Sequence, residues 1–264
     1  MKKKYKKVSI DQISFNFPRI EMNGSQENPQ ELMDISLLFK LNKALGKPVN
    51  LKKAYKGYNK AIQWGSKETG IVTISYHEDR IDMGILLEFS AVGKKLYEKQ
   101  CRLKGIDVNW KKLIEVVYQK FNGHVTRIDI AIDFINFGYS VDKINRKLQT
   151  ERYIFLNAGN RTIPLERIQF IGEGKESQTL YIGSRRSDSF LRIYNKKIEQ
   201  LKKKGINYAI AVASDDFLRI EAEIKHRQAH KVGSEISLLT YVNLDSYLVG
   251  QILKRWKLVY NRDS

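Results

Sequence analysis

The stretch TLYIGSRRSDSFLRIYNKKIE, residues 179–199, predicts a β-hairpin that places one tyrosine among cations. Apolar and polar residues alternate on either side of a short run of glycine, serine and arginine, which is the pattern of two strands joined by a turn. Because strand side chains alternate between faces, Arg192, Tyr194 and Lys196 are predicted to share one face. A phenol between two phosphate-binding cations suits phosphodiester chemistry. The alternative is a half-buried strand tyrosine with solvated basic neighbours.

Two further strands are predicted to present paired carboxylates. Strict alternation over RIDIAID, residues 127–133, and RIEAEIK, residues 219–225, places apolar residues on one face and acids on the other. In so basic a protein these acids would repel one another unless cations lay between them, and hard oxygen ligands suit Mg²⁺ or Mn²⁺. A metal site is therefore predicted, with ordinary arginine–carboxylate ladders as the alternative. The predicted ligands are Asp129, Asp133, Glu221 and Glu223.

The composition predicts a globular protein that binds a polyanion. Of the 264 residues, 42% are hydrophobic and 11% aromatic, which is too apolar for a disordered chain. Lys and Arg number 47 against 29 Asp and Glu, and the resulting charge of +18 favours nucleic acid, because released counterions drive such binding. An anionic membrane is the weaker alternative, since no basic amphipathic helix with a bulky apolar face dominates.

The sequence predicts a cytoplasmic protein without a membrane segment. Its basic start is followed by residues 8–12, VSIDQ, which form no signal-peptide core. No window approaches the run of about 18 apolar residues that a membrane-spanning helix needs. The single cysteine, Cys101, excludes an internal disulfide and any multi-cysteine metal site, in keeping with a reducing compartment.

Periodicity along the chain predicts an α+β fold, in which helices pack on a central antiparallel β-sheet. An antiparallel meander is predicted over residues 58–90, ahead of the carboxylate strands and the hairpin. We expect a catalytic region, residues 1–225, followed by a helical C-terminal segment, residues 226–264. Helices are predicted over residues 29–45, 92–104, 109–121, 140–152 and 196–204, and further strands over residues 8–17 and 163–171.

Three motifs in this order resemble the replication initiators of small rolling-circle plasmids, the Rep_trans family, which also includes relaxases of integrative elements and phage initiators. They are TRIDIAID, YIGSRRSDSFLRIYNKKIEQ and LRIEAEIK. The resemblance covers most of the chain and implies a fold related to the rolling-circle nicking-endonuclease palm, with a divalent metal near the nucleophile. The RIYNKK context carries the family's nucleophilic tyrosine onto Tyr194. The chain departs from better-known nicking enzymes because it has no His-x-His motif.

The resemblance implies that the protein binds a plasmid origin and nicks one DNA strand through Tyr194. The products would be a 5′-phosphotyrosyl link and a 3′-hydroxyl primer, and the covalent link would later allow rejoining. The alternatives are a relaxase for transfer of an integrative or conjugative element and a non-catalytic origin- or operator-binding protein. The expected partners are origin DNA with an inverted repeat, single-stranded or extruded at the nick, and a second copy in a homodimer. A host helicase is also expected, because the chain has no phosphate-binding G-x-x-x-x-G-K-[ST] loop.

Cations on the hairpin and near the C-terminus are predicted to contact DNA. Residues 251–257, QILKRWK, are predicted to continue an apolar helical pattern while displaying three cations that reach duplex DNA, and residues 225–231 are the other candidate segment. The alternative is a terminal helix that docks on the protein with its lysines solvated. The predicted DNA contacts are Arg185, Arg186, Lys197, Lys254, Arg255 and Lys257.

Overall fold

The computed structural model describes residues 2–19, 30–172, 178–240 and 243–261. The chain divides into two compact units of mixed α and β structure. Unit 1 comprises Met1–Ile10, Asp129–Ile224 and Val242–Ser264, and unit 2 comprises Asp11–Ile128 and Lys225–Tyr241. The predicted C-terminal segment is thus divided between the two units. Within the described ranges, no helix combines the length and the apolar character needed to cross a membrane.

The described elements follow one another along the chain as alternating groups of strands and helices. The β-strands are β1 (Tyr5–Phe17), β2 (Val49–Leu51), β3 (Lys60–Ser66), β4 (Gly70–Tyr76), β5 (Ile85–Phe89), β6 (His124–Ile135), β7 (Tyr153–Leu156), β8 (Ile168–Ile171), β9 (Thr179–Ile182), β10 (Ser189–Asn195), β11 (Phe217–Lys225) and β12 (Lys257–Tyr260). The α-helices are α1 (Gln30–Leu38), α2 (Leu41–Leu45), α3 (Ala91–Leu103), α4 (Trp110–Lys120), α5 (Val141–Gln149), α6 (Lys196–Lys203), α7 (Tyr208–Ala213), α8 (His226–Ser237) and α9 (Leu244–Arg255).

In unit 1 the strands lie in the order β6-β11-β10-β9-β8. The predicted hairpin forms as β9 and β10, which pair antiparallel, and β10 pairs antiparallel with β11 on its other side. Side chains of β10 alternate between the faces, so Arg192 and Tyr194 lie on one face, whereas Leu191 and Ile193 lie on the other. A separate two-stranded sheet joins β7 to β12.

In unit 2 the strands lie in the order β2-β3-β4-β5-β1, and the predicted meander is their β3-β4-β5 part. An aromatic cluster forms its core. The ring of Phe89 lies 5.5 Å from Phe39, 5.1 Å from Tyr97 and 5.4 Å from Trp110, measured between centroids. Burying large aromatic side chains in this way is among the strongest sources of stability available to a small unit.

Polar caps fix where several helices begin. Asn195 ends β10 and accepts a hydrogen bond of 3.0 Å from the backbone N–H of Ile198, so that α6 starts directly after the strand. Ser140 caps α5 in the same way, by accepting a hydrogen bond of 3.4 Å from the backbone N–H of Lys143. The cap at Asn195 matters for the site described below, because it sets the position of Lys196.

Several sequence-based boundaries are wrong for local reasons. The helix predicted over residues 29–45 is two helices, because Lys40 adopts a left-handed conformation with φ of 51°. The helix predicted through residue 257 ends at Arg255, where Trp256 becomes extended and starts β12. The strand predicted over residues 163–171 is confined to β8. The short elements β7, α7 and β12 are absent from the prediction, since four to six residues carry little periodicity.

Candidate active site

Tyr194 lies near the end of β10, with its hydroxyl inside a polar cluster of unit 1. Only 7% of the residue is exposed. The hydroxyl donates a hydrogen bond of 3.0 Å to Oε2 of Glu221 and accepts one of 3.3 Å from Nζ of Lys196. Strand register explains the first contact, because Arg219 lies directly opposite Tyr194 and Glu221 lies two residues further along β11, within diagonal reach.

Two cations flank the ring of Tyr194. The guanidinium carbon of Arg192 lies 5.3 Å from the ring centroid, and Nζ of Lys196 lies 5.4 Å from it. Arg192 also forms an ion pair with Glu221. Lys196 begins α6 instead of continuing the strand, yet its ammonium group still reaches the hydroxyl. The structure therefore brings together the three hairpin side chains that the sequence groups, although only two of them share a strand.

Burial controls the protonation state of Tyr194. It raises the pKa of the phenol well above the ordinary value, and the charge of Glu221 raises it further, whereas Arg219 and Arg192 act in the opposite direction. At neutral pH the hydroxyl keeps its proton, and a phenol is a weak nucleophile until a base assists it. Glu221, which is 2% exposed, holds the position from which a carboxylate could take that proton.

Glu199 on α6 holds Lys196 in place. Its carboxylate lies 2.5 Å from Nζ of Lys196, and both groups lie on the first turn of the helix. Burial alone would raise the pKa of Glu199, but the charge and hydrogen bond of Lys196, together with hydrogen bonds from Gln200 and Lys203, lower that pKa to about 2. The ammonium of Lys196 is therefore buried together with a carboxylate that stays ionised.

A buried arginine connects β11 to β6. Nε and Nη2 of Arg219 donate hydrogen bonds of 2.6 and 2.8 Å to the two carboxylate oxygens of Asp133. Arg219 is 1% exposed, so this two-point contact is shielded from water. Since Arg219 also lies opposite Tyr194, the pair fixes the strand position beneath the phenol.

The four predicted metal ligands lie on two strands, Asp129 and Asp133 on β6 and Glu221 and Glu223 on β11. In the described part of the chain, no three His, Cys, Asp or Glu side chains converge as ligands. Both oxygens of Asp133 accept from arginine, and those of Glu221 accept from arginine and tyrosine. Asp129 is buried on β6 and Glu223 is half-buried on β11. Asp133 and Glu221 are thus engaged as in the arginine–carboxylate alternative, and their role as ligands of Mg²⁺ or Mn²⁺ stays a prediction.

The six cations predicted to contact DNA fall into two groups. Arg185 and Arg186 lie exposed in the turn between β9 and β10, and Lys254 lies exposed near the end of α9. The other three are held by hydrogen bonds within unit 1. Their acceptors are the carbonyls of Ser214 and Asp215 for Lys197, the backbone and side chain of Gln251 for Arg255, and Asn160 for Lys257.

Sequence reasoning did not assign a role to two members of the cluster, Arg219 and Glu199. Alternation already places Arg219 on the same strand face as Glu221, so its position was available from the sequence. Glu199 follows Lys196 by three residues, a spacing that brings side chains together on a helix. The helix predicted over residues 196–204 already carried this signal.

The sequence of this chain is similar to a family of known proteins. The family model described as "Replication initiation factor" matches residues 123–264. "Putative DNA relaxase NicK" of Bacillus subtilis (strain 168) is 26% identical over 173 residues, which cover 62% of this chain and 45% of that protein. A "Replication initiation protein" of Staphylococcus aureus is 33% identical over 116 residues, which cover 44% of this chain and 30% of that protein. The chain thus matches less than half the length of these relatives.

A solved structure shares the fold. The rolling circle replication initiator protein from Geobacillus stearothermophilus has a TM-score of 0.73 at 19% sequence identity, over 98% of this chain and 89% of that chain. This likeness confirms the predicted α+β fold with an antiparallel sheet. The family model covers more than half of the sequence, including the three strands β6, β10 and β11 and the helix α6 that form the Tyr194 cluster. This chain therefore belongs to the replication initiation factor family.

Proposed function

We propose that the protein nicks and rejoins one DNA strand at a replication origin, with Tyr194 as the nucleophile. The observation that carries the proposal is the buried hydroxyl of Tyr194 on a carboxylate oxygen of Glu221, between two cations. The relatives named as replication initiation proteins and the rolling-circle fold support the same reading. The chain matches only part of the length of those relatives, so the activity of the whole protein is a proposal.

The chemical step is an in-line displacement at phosphorus. The hydroxyl oxygen of Tyr194 forms a bond to the scissile phosphorus, and Glu221 accepts the proton that this hydroxyl loses. The bond between phosphorus and the 3′-oxygen breaks, and that oxygen takes a proton from water to give a 3′-hydroxyl. The 5′-phosphate stays on the tyrosine as a diester, which keeps the bond energy available for rejoining. Protonated Glu221 can return its proton when the reaction reverses.

Three cations are placed to stabilise the added negative charge. Arg192 and Lys196 flank the phenol, and Arg219 lies opposite it on β11. In a site with little water, such fixed charges act more strongly than they would in solvent. Arg192 is the most exposed of the three, so it is our candidate for direct contact with a phosphate oxygen.

Metal dependence stays a prediction from the sequence. The residues predicted to bind Mg²⁺ or Mn²⁺ are engaged by arginine and tyrosine, and the step described above uses Glu221 as a base. Nicking assayed with Mg²⁺, with Mn²⁺ and with chelator decides between the two roles. Full activity in chelator assigns these carboxylates to ion pairs and proton transfer.

We further propose that the strand must be single-stranded or extruded at the nick, because a buried tyrosine does not reach a stacked backbone. Arg185 and Arg186 are exposed on the hairpin turn and are proposed to hold its phosphates. We place recognition of duplex sequence in residues 226–264, where Arg227 and Lys231 on α8 and Lys254 on α9 are exposed cations. A homodimer and a recruited host helicase remain part of this proposal.

A relaxase role is the second candidate, supported by the printed name of the Bacillus subtilis relative. It uses the same cut for transfer instead of replication. The chemistry at Tyr194 is shared, so the experiment below tests both roles together.

The test is covalent capture of DNA. We would incubate the chain with a randomised single-stranded DNA pool and isolate protein–DNA adducts that survive denaturation. Sequencing the captured strands identifies the preferred site. Tyr194→Phe is expected to give no adduct, and Tyr181→Phe, on the neighbouring strand opposite Arg192, is the matched control and should keep full activity. Adducts formed by Tyr194→Phe contradict the proposal, and a wild-type chain that gives none supports a non-catalytic DNA-binding protein.

A further inference from the structure

A large cavity lies on the face of the unit 1 sheet that is turned away from Tyr194. Its volume is about 810 Å³, within the range of about 300–1,000 Å³ that is common for ligand sites. We call it the aromatic pocket. The walls come from α5, β7, α9 and β12. The floor is formed by Ile132, Phe134, Leu191, Ile193, Leu218 and Ile220.

Aromatic rings and cations line the aromatic pocket. Of its described lining residues none is Asp or Glu, although the chain contains 29 of these residues. Arg146 pairs with Asp142, so the lysines supply the uncompensated positive charge. The lining rings belong to Phe134, Tyr139, Tyr153, Phe155, Trp256 and Tyr260. The lining cations are Lys6, Lys143, Arg146 and Lys147.

The rings are grouped around one lysine at the edge of the pocket. Tyr153 and Tyr260 lie opposite each other across the β7–β12 pair, with centroids 4.6 Å apart and planes at 80°. Nζ of Lys147 lies 4.5 Å from the first ring centroid and 5.8 Å from the second. Tyr260 is 68% exposed. The exposed aromatic ring can stack on a flat ring of a ligand, and the ammonium group of the lysine beside it can pair with a phosphate.

A second exposed ring also lines the pocket. Tyr139 is 49% exposed, and its ring centroid lies 5.4 Å from that of Phe134 on the floor. Lys143, on α5 like Lys147, also lines the pocket. The aromatic pocket therefore presents two exposed rings and several lysines above an apolar floor.

We propose that the aromatic pocket binds unpaired nucleobases of single-stranded DNA, with their phosphates on the lysines. Stacking of bases on aromatic side chains, combined with a cationic path for the backbone, is the general chemistry of single-strand binding. This inference rests on the proposed function, since a nicking protein works on a strand that has left the duplex. It adds a second DNA site, on the opposite sheet face from the nucleophile.

The observations favour DNA over a protein segment. The apolar floor suits either occupant, and an acidic amphipathic helix would also pair with lysines. Two exposed tyrosines and several lysines, with no lining carboxylate among the described residues, match the repeating bases and phosphates of a nucleic acid. A helix presents its acidic residues on the face turned away from an apolar floor.

The test measures binding of single-stranded oligothymidylate to the full chain by fluorescence anisotropy at fixed salt. Tyr260→Ala and Tyr139→Ala are expected to weaken binding by about 5- to 150-fold each, since one stacked base contributes roughly 1–3 kcal/mol. Tyr260→Phe keeps a ring and should bind within about twofold of wild type. Tyr55→Ala, in unit 2 and 74% exposed, is the matched control and should bind like wild type.

The outcomes separate this inference from the proposed function. Unchanged binding by Tyr260→Ala and Tyr139→Ala overturns the aromatic pocket as a DNA site, whatever Tyr194 does. Binding of an acidic amphipathic peptide that Tyr260→Ala abolishes, with oligothymidylate binding unaffected, assigns the pocket to a protein partner and also overturns it. Oligothymidylate binding is measured without reference to cleavage, so a failed nicking proposal leaves this measurement intact. Photocrosslinks from 5-iododeoxyuridine to Tyr139 or Tyr260 would support the pocket directly.

Discussion

The two faces of the unit 1 sheet carry opposite kinds of chemistry on the same strands. On one face, Arg192, Tyr194 and Glu221 are buried or half-buried in a network where each charge has a partner of opposite sign. On the other face, the alternate residues Leu191 and Ile193 floor an open pocket with cations and exposed rings. A closed network of charges holds its side chains in fixed positions, whereas an open pocket can admit a ligand. In our proposals the first face, which we call the reacting face, performs the cut and the other holds the strand.

Glu221→Gln breaks the reacting face with the largest expected effect. The substitution keeps the size of the side chain but removes the proton acceptor of Tyr194, so we expect the nicking rate to fall by about 10²–10⁴-fold. Oligothymidylate binding should not change. Glu223→Gln, two residues along β11, is the matched control and should lose much less. Equal losses in both variants would show that β11 needs negative charge in general and has no specific base.

Arg219→Met tests the support beneath that face. It leaves the buried carboxylate of Asp133 without its two hydrogen bonds, and breaking a buried pair in this way costs about 3–5 kcal/mol. Urea unfolding measures the loss. Arg186→Met, in the exposed turn, should leave stability unchanged. The double variant Asp133→Leu with Arg219→Met should recover much of the loss, and a double variant as unstable as the single one would contradict this account of the pair.

Glu199 makes the free energy of unfolding depend on pH in the acid range. Its pKa of about 2 in the folded chain lies below the ordinary value of 4.5, so its stabilisation is present above pH 4.5 and is lost as pH falls toward 2. The expected contribution is on the order of 1–3 kcal/mol. Glu199→Gln should therefore flatten the fall of unfolding free energy between these pH values. Lys203→Gln, which removes only the exposed partner, should change it little.

Exposed cations should give the smallest effects. If about six phosphates are contacted, log affinity falls with log salt at a slope near −5, and Arg186→Gln should reduce that slope by about 1. Lys67→Gln, an exposed cation in unit 2, is the control and should leave the slope unchanged. An equal reduction in both variants would mean that the charge of +18 acts diffusely instead of through the hairpin turn.

Strand alternation was enough to predict which side chains share the reacting face. It could not predict which groups neutralise the carboxylates there. The pattern over residues 127–133 and 219–225 put the acids and Arg219 on one face, and RIYNKK singled out Tyr194. Alternation fixes the face of a side chain but not its partner, because partners depend on register between strands. Register puts Arg219 within reach of Asp133, and Glu221 within reach of Arg192 and Tyr194, where the sequence predicted metal.

The pocket face could not be predicted, because its walls come from elements that are short or distant in sequence. Tyr153 and Tyr260 meet only because β7 pairs with β12, across more than 100 residues of chain. Each strand has four residues, too few for periodicity to reveal. The floor residues read simply as core, and nothing in their own pattern distinguishes a covered face from an open one.

The most direct test of the central claim is to identify the residue that carries DNA after covalent capture. Wild-type chain with trapped single-stranded DNA would be digested with protease and nuclease, and the modified peptide would be sequenced by mass spectrometry. We predict a single phosphonucleotide on Tyr194, in the peptide around residues 193–196. A modification on Tyr181, or on any residue outside the Tyr194 cluster, would contradict the assignment of the reacting face.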